Sequence, residues 1–459
     1  MSFSKKMLAF AAVSALTAAT AVPAMALENE FHGMYKFMGY QTNFLSGNGK
    51  TIFGNDAPSG FFAEQRARIM YTAKASDNLK LVTHFELDTR FGGLAESNYK
   101  GIPTTATGGQ DGGNIDADAI SLETKNVYLD FKDPITDANF KVGIQPWGDA
   151  YSSLFLSADM TGVYATKKFD PFTASLGWFR FDDNTNDAND NAGGAGQFTG
   201  DLFVADAKFA VNKDMTVGAS YYNVQNDTDL ALGATTRGYE LLHMVGVNAD
   251  LKFGPAAVKP FAAYQFGEVN GADDISAYLL GATAKVKVGP GAVNLAGFYI
   301  SGDDAQPTAA GDSDSFQTLG GAYTYFNPAN MWLLVRPNQA IGTSTSVLGN
   351  DLTVGGRGSV GLFAGYEGTM NKVFYNANIG YMMTAEERTN SGIKEDGAIG
   401  TEINAQVGYK LYDNLSVSAA AAHAFLGDGL TSNNANERVG GAADADDPYL
   451  FNIQLSYVF

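Results

Sequence analysis

The sequence predicts an all-β fold, a transmembrane antiparallel up-and-down β-barrel of about eighteen to twenty strands, with about sixteen also compatible. Three observations carry this expectation. Apolar and polar residues alternate at period two, short turns alternate with long polar loops, and after Ala26 no run of 18 apolar residues offers a helical span.

Taken in order, the chain opens with Lys5 and Lys6, an apolar run from Met7 to Val22, and "AMA" at Ala24 to Ala26. That is the pattern of a secretory signal with a small-x-small cleavage site, so residues 1–26 are expected to be removed and 27–459 to form one barrel. There is no cysteine, hence no disulfide and no thiol chemistry, and stability must come from elsewhere. Losing Lys5 and Lys6 leaves 28 bases against 49 acids, a net charge near -21. Such a surface repels nucleic acid and excludes that class of partner. Glycine stands at 53 of 459 residues, well above the usual share of about 7%, and Phe (31) and Tyr (22) supply most of the aromatics.

The period can be followed through individual segments. In "NLKLVTHFELDTRF", Leu79, Leu81, Phe85, Leu87 and Phe91 share one face, while Lys80, His84, Glu86, Asp88 and Arg90 share the other. The preceding segment sets Ala67, Ile69 and Tyr71 against Glu64, Arg66 and Arg68, and Ser76 to Asn78 makes the turn between the two. Further on, Ile399, Ile403, Val407 and Tyr409 oppose Glu402, Asn404, Gln406 and Lys410. The last twelve residues, "PYLFNIQLSYVF", alternate without a break to the terminal Phe459.

Short turns are expected at Ser76 to Asn78, Asp133 to Asn139, Asp170 and Pro171, Asn212 to Asp214, Gly254 and Pro255, Gly289 to Gly291, Asn327 to Asn330, Gly368 to Lys372, and Asp413 and Asn414. With both termini on that edge, these turns imply twenty strands; a hairpin around "MWLLVRP" (Met331 to Pro337) is the weakest, and without it there are eighteen. A closed barrel turns its apolar faces to lipid and its polar faces to water, and it leaves no strand edge unpaired where no water can reach.

These features together resemble the outer-membrane porins of Gram-negative bacteria: an export signal, alternation over the whole mature chain, the asymmetry of turns and loops, and the terminal "LSYVF". The resemblance implies short periplasmic turns, long extracellular loops, location in the bacterial outer membrane among lipid and lipopolysaccharide, and trimers as a common assembly. It also implies that Leu455, Tyr457 and Phe459 are read by the barrel assembly machinery. In similar porins the loop after the fifth strand folds inward and sets acids against an arginine ladder. Here that stretch is 146–162, with Asp149 and Asp159 as its acids.

The polar faces of the early strands then line the pore with Arg66, Arg68, Lys80, His84, Glu86, Asp88, Arg90, Tyr128, Asp130, Lys141 and Gln145. The spacing of His84, Glu86 and Asp88 would suit a metal or an acid and base pair, but the flanking Lys80 and Arg90 fit charge balance in a wet channel better. "DDNTNDANDN", from Asp182, begins like a calcium loop yet has Asp187 where that loop needs glycine and Gly193 where it needs glutamate. No metal and no cofactor are therefore expected. The implied function is passive diffusion of ions and small hydrophilic solutes, with a weak cation preference from the net charge. The competing readings are a barrel that sheathes a partner, as in an electron conduit, and an outer-membrane hydrolase, for which four histidines and no serine set beside one give little support.

Overall fold

The computed structural model describes residues 27–44, 58–92, 122–183, 196, 199–226, 239–269, 273–305, 311–319, 324–335, 341, 346–348, 351–390, 393–394, 396–430 and 446–459. The signal segment lies outside these. Eighteen strands make one antiparallel sheet. They are β1 (Glu28–Thr42), β2 (Gly60–Ser76), β3 (Leu79–Arg90), β4 (Glu123–Lys132), β5 (Asn139–Gly148), β6 (Ser157–Phe169), β7 (Phe172–Asp182), β8 (Gly200–Asn212), β9 (Met215–Asn226), β10 (Tyr239–Phe253), β11 (Ala256–Val269), β12 (Asp273–Val288), β13 (Gly291–Ile300), β14 (Ser359–Met370), β15 (Val373–Thr384), β18 (Ala398–Tyr412), β19 (Leu415–Leu426) and β20 (Tyr449–Val458). A separate two-residue ladder joins β16 (Thr389–Asn390) to β17 (Ile393–Lys394).

The sheet closes because β1 pairs with β2 on one side and with β20 on the other, from Met34 opposite Val458 to Thr42 opposite Leu450. Every barrel strand therefore has two neighbours, as an edge in hydrocarbon would require. One rim carries eight short turns, seven of two residues and one of six. Gly254 and Gly289 take φ +58° in two of them, a left-handed conformation that costs glycine nothing. Eight turns with both termini on the same rim give eighteen strands.

The ninth expected turn, Asn327 to Asn330, is a single 3₁₀ turn (Asn327–Ala329) inside the barrel, and "MWLLV" is not a strand. Its five residues Met331 to Val335 are all at most 2% exposed. A membrane strand shows one face to lipid and alternates; a segment enclosed on all sides can be apolar throughout.

Alternation sorts the side chains as expected. Phe31, Ile69, Leu176, Leu362, Ile403 and Ile453 point outward and are exposed, while Phe179, Leu202, Leu279 and Asn452 point inward and are buried. Aromatic pairs mark two belts on the outside. Near the short-turn rim Phe131 stacks on Phe140 at 5.4 Å and Tyr457 on Phe459 at 5.5 Å; near the other rim His243 stacks on Phe266 at 4.9 Å and Tyr278 on Tyr299 at 5.3 Å.

The interior is not uniformly polar. Toward the long-loop rim, β7 to β14 turn Phe179, Leu202, Tyr222, Leu242, Phe261, Leu279, Phe298 and Phe363 inward. Residues 149–156, 313–319 and 324–335 fold in from that rim and bury this apolar wall. The charged strands β1 to β5 lie beside it.

Candidate functional site

Antiparallel register places Lys36 beside Arg66, Arg66 beside Asp88, Arg68 beside Glu86, and Lys80 beside Asp130, all on the inward face. Arg66, Arg68 and Lys80 thus each meet an acid on the next strand, while Lys36 faces Arg66. Arg66 Nε donates to Asp88 Oδ1 at 2.7 Å and lies 3.2 Å from Glu86 Oε2, and Arg68 makes a close ion pair with Glu86. Arg90 Nη2 is 3.5 Å from Glu64 Oε1, and Lys80 Nζ is 3.5 Å from Asp130 Oδ2. His84 Nδ1 sits 3.3 Å from Asn126 Oδ1, Lys141 Nζ lies over the Tyr128 ring at 5.5 Å, and Gln145 Nε2 donates to the backbone oxygens of Lys141 and Gly162 at 3.1 and 3.2 Å. These side chains are therefore brought together on the inward side of β2 to β5, with Gln145 as a buried brace of β5 and with the acids that meet Arg66 and Arg68 coming from β3 rather than from the loop after β5.

Lys125 was not among the expected residues. A register shift between His84 and Phe85 breaks the parity of β4, and Lys125 Nζ reaches both Asp159 Oδ2 at 3.0 Å and Glu86 Oε1 at 3.8 Å. Lys36 was missed because β1 is rich in apolar residues on both faces, so its inward side is visible only once it pairs with β2.

The inward connection is shorter than 146–162. Gly148 pairs with Ser157 and Trp147 with Ala158, so strand pairing claims both ends and 149–156 remains. Asp159 accordingly belongs to β6 and bonds Lys125 and Asn126, the latter donating Nδ2 to Oδ1 at 2.7 Å.

Asp149 does not face the passage. It is the hub of its own loop: Oδ1 accepts the N–H groups of Tyr151 and Ser153 at 2.7 and 3.0 Å, and Oδ2 accepts those of Phe155 and Leu156, each at 2.7 Å. Burial pushes this carboxyl up to about 6 against the downward pull of those four groups. Ser152 and Ser153 take left-handed φ of 62° and 68°, at roughly 1–2 kcal/mol each, which this hub offsets. The loop's other side packs Leu154, Phe155 and Leu156 onto the apolar wall, with the Phe155 ring 5.9 Å from Tyr222.

The net charge proves a poor guide to the interior. In the halves of β6 to β14 nearest the short-turn rim, inward positions hold Lys168, Lys208, Lys252, Lys259, Lys285 and Lys287 against Asp206, Asp250 and Glu367. Across β15, β18, β19 and β20 the inward side chains are mainly amides and hydroxyls. Asn378 donates to Asn404 at 2.7 Å, Asn376 to Gln406 at 3.1 Å, and Gln406 to Ser418 at 3.0 Å.

At the seam, Gly33 N–H donates to Phe459 O at 2.9 Å and Phe459 N–H to Gly33 O at 3.0 Å. The Phe459 ring lies so close over Gly33 that a Cβ there would collide with Cζ. Leu455 and Tyr457 continue the outward face of the same strand, opposite Phe37 and Tyr35. Of the acidic stretch from Asp182, residues 184–191 lie outside the described residues.

A model of the Gram-negative porin family matches residues 11–331. Among solved structures, the chain is similar to Pseudomonas aeruginosa OpdL at TM-score 0.52 and 11% identity, over 94% of this chain and 99% of that one. It is similar to Pseudomonas aeruginosa OccK2 (OpdF) at 0.52 and 11%, over 94% and 98%, and to Pseudomonas aeruginosa OpdO at 0.51 and 14%, over 94% and 97%. At such identities the likeness is one of fold. No curated protein sequence matches.

Proposed function

The chain belongs to the Gram-negative porin family of outer-membrane channels for small solutes, and on that premise we propose that it is a passive diffusion pore whose water path follows the charged wall of β1 to β5. The single observation behind this is the division of the interior. The apolar wall of β7 to β14 is covered by the chain's own segments, while the inward face of β2 and β3 carries the ion pairs of Arg66 and Arg68 with Glu86 and Asp88.

Along this path a solute meets paired charges of both signs, then the lysine-rich inner wall near the periplasmic rim. Charges more than about 8 Å from the path are screened at physiological ionic strength, so the acids of the outer loops count for little beside these residues. The weak cation preference suggested by the net charge therefore gives way to a weak anion preference. The segments filling the apolar side also occupy the space in which a sheathed partner would sit, which favours a channel over a scaffold. Reversal potentials in a planar bilayer under a salt gradient test the proposal: a modest anion preference is expected, and clear cation selectivity would sink it.

A further inference from the structure

We propose that Glu402 is a positioning residue of the pore: from a strand that carries none of the charged ladder, it tethers residues 330–335 inside the barrel, where the space they fill limits the channel's cross-section. This rests on the reading of the chain as a channel and adds to it the element that sets its width. Glu402 lies inward on β18 and is fully buried. Its hydrogen bonds come from amides: Oε1 accepts the N–H of Trp332 at 2.7 Å and Nδ2 of Asn404 at 2.9 Å, and Oε2 accepts the N–H groups of Leu333 and Leu334 at 2.9 and 2.8 Å.

Three consecutive backbone donors on one carboxylate fix both the path and the depth of a segment that has no strand or helix to satisfy it. Apolar packing could slide; this arrangement cannot, because each donor displaced would be left buried without an acceptor. Neighbouring contacts agree on the same position. Asn404 Nδ2 donates to Asn330 O at 3.1 Å, and Phe326 packs on Phe298 and Phe363 at 4.8 and 5.8 Å. A Cβ on Gly380 would come within 2.7 Å of the Met331 sulfur, so the wall itself is cut back to receive the segment. The segment also touches the other inward loop, where Tyr325 N–H donates to Ser153 O at 2.9 Å.

The test is single-channel conductance of the full chain carrying Glu402→Ala, measured together with the reversal potential. Release of the segment should raise conductance roughly twofold, since current through a wet constriction follows its open section, and should leave the reversal potential in place because the ladder is untouched. The chain has no cysteine, so Ser153→Cys with Tyr325→Cys can be added to retie the segment where the two backbones meet. Oxidation of that pair should return conductance toward the wild-type value, and reduction should raise it again. Unchanged conductance in Glu402→Ala, or a rise that the disulfide does not reverse, overturns the proposal. If Glu402→Ala yields no folded barrels, Glu402→Gln, of equal size with one acceptor lost, must show a smaller rise in the same direction; no rise overturns it. A wild-type chain that conducts nothing instead removes the channel reading itself, and the two failures are thereby distinct.

Discussion

Replacing Asp149 by alanine removes the acceptor of four buried N–H groups at once, those of Tyr151, Ser153, Phe155 and Leu156. Each buried donor left unsatisfied costs roughly 1–3 kcal/mol, so the folded loop loses on the order of 4–12 kcal/mol. What remains to hold it is the packing of Tyr151, Leu154, Phe155 and Leu156, about 2 kcal/mol each, with the bonds from Tyr325 N–H to Ser153 O and from Ala150 N–H to the Tyr222 hydroxyl. Ordering eight backbone residues opposes that at about 1–2 kcal/mol per residue. The unsatisfied amides can find water only by leaving the wall, so the loop should detach while the barrel, closed through β1 and β20, survives. The assay is liposome swelling with neutral sugars of increasing size, alongside single-channel recording. Asp149→Ala is expected to admit larger sugars and to give noisier currents. A sugar cutoff and current noise identical to wild type would show that Asp149 does not hold the loop.

Other outcomes follow from the same structure. Deleting Phe459 removes both backbone bonds to Gly33 and the ring that covers it, so the yield of heat-modifiable folded barrels on a gel should fall while the reversal potential of surviving channels stays put; an ordinary yield contradicts the role given to the terminus. Lys285→Glu with Lys287→Glu, on the inward face of β12, should move the reversal potential toward cations, and no movement would place these side chains off the path. Burial lifts Asp149 to about 6 from an ordinary value of 3.8, so the anchored loop binds a proton that the released loop does not. That contribution is full below pH 4, is lost as pH rises through about 6, and amounts to roughly 3 kcal/mol. Open-channel noise should therefore drop between pH 7 and pH 5 in the wild type and show no such drop in Asp149→Ala.

The barrel was legible because a membrane strand must alternate and a closed barrel must turn, and both demands leave marks in the sequence. The inward side of Arg66, Arg68, Glu86 and Asp88 followed from alternation, whereas which of them pair depends on the register across the β2–β3 turn. What failed were residues governed by something other than period two. "MWLLV" looked like half of a hairpin, yet its unbroken apolar run already signalled enclosure on every side. Asp149 looked like an acid aimed into the pore because loop acids usually reach water; four amides of its own loop bring it inside instead. Lys125 lay beyond a register shift that inverts the parity used to find its neighbours. Glu402 was placed on the correct face, but its backbone partners are 68 to 70 residues away in sequence, and no local pattern announces them.

As a passive pore, this outer-membrane barrel is proposed to enclose a continuous water path along β1 to β5. Single-channel conductance of the purified, detergent-folded protein in a planar bilayer tests it most directly. Discrete steps that grow in proportion to salt concentration are expected; a bilayer that stays silent after insertion of folded barrels would contradict it.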